Sequence, residues 1–79
     1  MDIDSQLART GLAPEVRLLV GAAAAVWRAE WDVLTEWTRR ARDQGHRRAD
    51  LEETLLMCAL FCGFPRAITA WGHVDAAWP

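Results

Sequence analysis

Eight consecutive residues, Leu55-Leu56-Met57-Cys58-Ala59-Leu60-Phe61-Cys62, are all apolar. They follow the acidic opening Asp50-Leu51-Glu52-Glu53 and stop at Gly63-Phe64-Pro65. The octet lacks the alternation of a half-buried strand and sits in a helical context. A helix that is apolar around its circumference has no side to give to water. A chain of 79 residues is too short to enclose such a helix, so neighbouring copies are expected to cover it.

The rest of the chain extends the helical reading. Leu12-Ala13-Pro14-Glu15 is a helix-start signal, because proline suits the first turn and an acid there faces the positive end of the dipole. From Pro14 to Gln44 the only glycine is Gly21. So long a stretch is expected to divide in two, with the break near Trp27–Trp31. Gly45 supplies the next stop, and Arg39, Arg40 and Arg42 fall in the turns before it, where cations suit the carbonyl end. Asp50 is expected to cap the following helix, with Glu53 completing a capping box. Gly63 ends that helix and Pro65 starts another, whose inner face is predicted to be Ile68, Trp71, Val74 and Trp78. No β-branched alternating run appears anywhere, so the fold class is all-α, with about four to five helices. Residues 1–11 read as an N-terminal arm or a short helical turn, and residues 12–79 as a single domain.

A chain this small gains stability from disulfides, metals or partner subunits. Two cysteines and two histidines favour neither of the first two, whereas 52% apolar residues, five of them tryptophan, favour the third. The net charge of −2 lacks the basic excess of a nucleic-acid binder. All nine cations are arginine. Met1-Asp2-Ile3-Asp4-Ser5 is too acidic for a secretory signal, and no apolar stretch approaches the roughly 20 residues needed to span a bilayer. A cytoplasmic setting with reduced thiols is therefore expected.

The reactive residue types have plainer explanations. Cys58 and Cys62 share one helix face, but the dipole at a C-terminal half disfavours a thiolate and no cation adjoins them. They read as core thiols. His46 and His73 have no partners at metal-ligand spacing, so no metal is expected. Arg39, Arg40, Arg42, His46, Arg47 and Arg48 form a charge cluster offset by Asp43, Asp50, Glu52 and Glu53, which suits a solvated loop with ion pairs between subunits. Trp27 and Trp31, four apart, are expected to stack on one face, and with Trp37 to serve core or interface.

Several anchors resemble one known family. Leu12-x-Pro14-x-x-Arg17-Leu18, Arg40-Ala41-x-x-x-Gly45, and Glu53 followed by the apolar helix, Phe61-Cys62-Gly63-Phe64-Pro65 and Ala70 are similar to the carboxymuconolactone decarboxylase family, which includes the AhpD-type alkylhydroperoxidases. The resemblance runs from Leu12 to Trp71. It implies an AhpD-like helical domain and a trimer or hexamer.

The same alignment implies where chemistry would sit. The peroxidase members' thiols fall at Glu30 and Val33, their histidine at Trp37 and their upstream glutamate at Leu18; the decarboxylase members' second histidine falls at Met57. None of those groups stands at its aligned position in this chain. The expectation is a self-associating protein that binds a partner or a small apolar ligand and needs no cofactor, no nucleic acid and no membrane. Trp31, Trp37, Leu56, Leu60, Phe61 and Trp71 are its expected core or interface residues. The alternative is an enzyme with a rearranged site, a thiol-dependent peroxidase or a decarboxylase. It would use Cys58 and Cys62 as displaced thiols, or Glu30 as a lone base assisted by His73.

Overall fold

The computed structural model describes residues 11–79 and contains four helices and no strand among them. We number these α1 (Pro14–Arg28), α2 (Trp31–Asp43), α3 (Arg48–Cys62) and α4 (Phe64–Ala77). The expected N-terminal arm lies outside the described residues apart from Gly11. Helix α1 packs on α2 and α3, and α4 packs on the same two, so α1 and α4 face each other across one diagonal and α2 and α3 across the other. The link from α2 to α3 therefore crosses the bundle.

Each helix gives one stripe to a shared core. Leu18, Ala22, Ala25 and Val26 come from α1, and Leu34, Trp37, Thr38 and Ala41 from α2. Leu51, Leu55 and Cys58 come from α3, and Ala67, Ala70, Val74 and Ala77 from α4. Thr38 donates its hydroxyl proton to the Leu34 carbonyl at 2.8 Å, which satisfies it in an apolar setting. The face of α4 differs from the expected one. Its small residues turn inward, Ile68 is exposed, and Trp71 and Trp78 are only partly buried. Alanines let α4 approach α2 and α3 closely, which leaves the bulky side chains at the margin.

The break between α1 and α2 falls within the expected window, with a geometry that its residues do not advertise. Ala29 adopts a left-handed conformation, φ 54° and ψ 37°. Its N–H donates to Val26 O at 3.1 Å while the Glu30 N–H donates to Ala25 O at 2.9 Å, the paired bonds of a Schellman cap. Gly45 closes α2 in the same way, with its own N–H on Arg42 O and that of His46 on Ala41 O. Glycine suits this conformation and alanine is strained in it. The break also separates Trp27 from Trp31, so the expected stack between them does not form. Trp27 is exposed on α1, and Trp31 stacks instead on His73 of α4, with ring centroids 5.2 Å apart.

One further expectation is corrected. Helix α3 begins at Arg48 with Arg47 as N-cap, and no side chain caps it. Asp50 lies inside the first turn, where it accepts a hydrogen bond from the Arg47 guanidinium at 2.8 Å. The arginine cluster forms its ion pairs within the chain, including Arg40–Glu36, Arg42–Asp43, Arg47–Asp50 and Arg48–Glu52. Arg42 also donates to the Ala77 carbonyl at 2.9 Å, and Arg48 reaches Asp75 and the Trp78 carbonyl. Two cations thus close the carbonyl end of α4, where the helix dipole is negative.

Close approach of α1 to α2 depends on Gly21. A Cβ placed there would lie 2.4 Å from the Trp37 indole carbons Cε2 and Cζ2. Gly21→Ala would gain about 1 kcal/mol of helix propensity, but the buried indole has to shift, and overpacking of this kind costs about 1–3 kcal/mol. Denaturant unfolding is expected to show net destabilisation. At the other strained point, Ala29→Gly is expected to raise the midpoint, by about 0.5–1 kcal/mol in stability.

Candidate functional site

The four positions that the resemblance aligns with the peroxidase members' reactive groups are split between core and surface. Leu18 and Trp37 are buried, the indole filling the notch over Gly21. Glu30 sits at the corner between α1 and α2, half exposed, with its carboxylate 2.7 Å from Arg28 Nε. Val33 faces outward. Ala29, Glu30, Trp31, Asp32 and Val33 line a shallow, open depression, and Trp37 takes no part in it.

The remaining reactive side chains do not assemble with Glu30. No hydrogen bond joins Glu30, Cys58, Cys62 and His73 to one another among the described residues, and His73 is occupied by its stack on Trp31. Cys58 is 7% exposed beneath α1, and both thiols are free. Burial, with the neighbouring Cys62 second, raises the Cys58 thiol above its ordinary value of 9.0 and keeps it protonated. No group of three or more His, Cys, Asp or Glu side chains among the described residues is placed to hold a metal ion. His46 lies at the helix end, 3.4 Å from Gln44.

What the structure does bring together is apolar surface. Helix α3 turns Leu51, Leu55 and Cys58 inward and presents Leu56, Met57, Leu60 and Phe61 on the opposite side. Leu60 is 78% exposed and Phe61 73%. Phe64 and Ile68 of α4 continue the patch. A groove runs along each flank of α3. The α4 side has a volume of about 450 Å³, with Leu56, Phe64, Ile68 and Trp71 among its walls and Asp75 at its edge. The α1 side holds about 290 Å³ among Leu19, Val20, Ala23, Met57 and Phe61, with Cys58 also in its lining. Of the six residues expected at core or interface, Trp37 is buried and Trp31 and Trp71 are partly buried against the core. Leu56, Leu60 and Phe61 lie in the exposed patch.

Residues 1–76 match the sequence profile of the carboxymuconolactone decarboxylase family. The chain belongs to that family. Neither the curated proteins nor the solved structures gave a match. The family match extends to residue 1, beyond the Leu12 at which the resemblance by motif begins.

As a carboxymuconolactone decarboxylase family member, the chain carries bulk at two of the aligned positions, Leu18 and Trp37, and surface residues at the other three, Glu30, Val33 and Met57. Sequence reading also missed a small pocket between α1 and α2, about 120 Å³, lined by Pro14, Arg17, Leu18, Trp37, Arg40 and Gln44. Arg17 gave no signal beyond its place in the helix-entry motif.

The thiols provide a direct check. Cys62, partly exposed, is expected to react with a thiol reagent in the native protein at least about tenfold faster than buried Cys58. The Cys58 value is raised by folding, so as pH climbs the unfolded chain loses this proton first. The stability contributed by the buried neutral thiol is complete below the unfolded value of 9.0 and declines above it. Site-resolved alkylation by mass spectrometry, with equal rates as the contrary result, tests the assignment.

Proposed function

We propose that this protein acts as a self-associating member of its family, in which the outward face of α3 and the start of α4 seat another copy of the chain. In this reading its role rests on the assembled apolar surface and not on thiol or histidine chemistry at the aligned positions. The observation that carries it is the exposure of Leu56, Met57, Leu60, Phe61, Phe64 and Ile68 on one continuous face. At on the order of 100 Å² apiece, these side chains reach or pass the roughly 300–600 Å² of the largest patch on a typical monomer. With the groove walls added, they approach the ~800 Å² per partner of a standard interface. A trimer or hexamer is the expected form.

The larger groove favours a second reading. Its volume of about 450 Å³ falls within the range of small-molecule sites, so a small apolar ligand is the alternative occupant. None of the described helices is long and apolar enough to cross a membrane.

Light scattering coupled to size exclusion separates the two readings. The wild type is expected at a multiple of the 8.9 kDa chain mass, and Leu60→Glu with Phe61→Glu at the single-chain mass with helicity retained. A folded wild type that stays at one chain mass at every concentration would refute self-association and leave the apolar ligand.

A further inference from the structure

Helix α4 carries a glycine that the fold of a single chain does not use. Gly72 lies in the helix interior, where glycine is less favourable than alanine. It is not held in the left-handed conformation that Gly45 and Gly63 adopt. It does not admit a neighbouring side chain as Gly21 does, because a Cβ placed there would meet nothing within 4 Å. The chain by itself has room for a larger residue at this point.

The vacant space opens into the groove between α3 and α4. Gly72 lines that groove with Ala59, among the bulkier Leu56, Phe64, Ile68 and Trp71. The carboxylate at its edge, Asp75, is already paired with Arg48, so what the groove offers an entering group is apolar contact. Beside it stands the ridge of Leu60 and Phe61, more exposed than any other large apolar side chain among the described residues. At roughly 30 Å³ per non-hydrogen atom, the share of one water molecule, these two side chains need roughly 330 Å³. The α4-side groove holds about 450 Å³ and the α1-side groove about 290 Å³, so size selects the former. The apolar area around it approaches the ~800 Å² per partner of a standard interface, which a second copy would bury.

We propose that Gly72 sets the fit between copies, with the Leu60–Phe61 ridge of one chain seated in the α4-side groove of another against the bare helix at Gly72. This rests on the reading that the protein self-associates through its apolar face, and adds which parts meet. Each copy carries both a ridge and a groove, so a closed assembly leaves neither exposed. Gly72 then acts as a specificity residue: its missing side chain admits the partner.

The test measures helicity by circular dichroism and the dissociation constant of the full-length protein by light scattering across a dilution series. Gly72→Leu is expected to keep its helicity and to assemble at least about tenfold more weakly than the wild type. Gly72→Ala should also stay helical and fall between the two. Thr69→Leu, which adds apolar bulk to an exposed α4 position outside the groove, should change assembly less than about twofold. Phe61→Ala removes bulk from the ridge, so Gly72→Leu with Phe61→Ala is expected to lose less than the two single losses combined. Losses that simply add overturn the ridge-to-groove contact. An assembling wild type matched by an equally tight Gly72→Leu overturns the proposal while self-association stands. Loss of helicity in Gly72→Ala overturns it too, because the glycine would then serve the chain's own packing. A wild type that stays at one chain mass at every concentration removes self-association and this contact together.

Discussion

A helix in a four-helix bundle normally has an inner stripe and a wet outer one, and α3 has apolar side chains on both. Its inner stripe of Leu51, Leu55 and Cys58 ties α1 and α4 together. Its outer stripe is as apolar from Leu56 onward as the inner one. The bundle closes around the first stripe and has nothing to lay over the second. The two flanking grooves follow from this. Neighbouring helices pack below the outer ridge formed by Leu60 and Phe61, and the troughs beside that ridge stay open.

The close spacing of the other helices rests on small residues at the contacts. Gly21 admits the Trp37 indole, and Ala67, Ala70 and Ala77 bring α4 against its neighbours. Interdigitation of this kind leaves few gaps and tolerates little added volume. It also accounts for the fate of the position that the family alignment equates with a histidine. Trp37 fills space between α1 and α2, with a narrow pocket lined by Arg17 and Arg40 beside it.

Much of this architecture was legible in the residues. Pro14, Gly45 and Gly63 punctuate the helices because each has a backbone preference that acts locally, and Gly63, at φ 84° and ψ 157°, occupies a conformation open only to glycine. The family resemblance was legible in the motif around Gly63. What escaped depended on tertiary context. The left-handed turn at Ala29 carries no local signal, and by breaking the helix it separates Trp27 from Trp31. The inner face of α4 could not be read from hydrophobicity, because a tight contact selects alanine over isoleucine. Asp50 resembles a cap in sequence, but α3 starts two residues earlier and Arg47 takes the carboxylate. The small pocket beside Trp37 exists only once α1 and α2 are docked.

The arginine clamp at the end of α4 has a consequence for the molecule's polarity. Arg42 and Arg48 gather charge around Asp75 and the last carbonyls, while the Cys62–Phe64 corner, about 20 Å away along α3, carries the greasiest surface. One end is therefore held by forces that dissolved ions screen, the other by a force that structure-making salts strengthen. Added sulfate would loosen the first end while driving the second out of water, so the two halves of this small bundle answer the same solvent change in opposite directions.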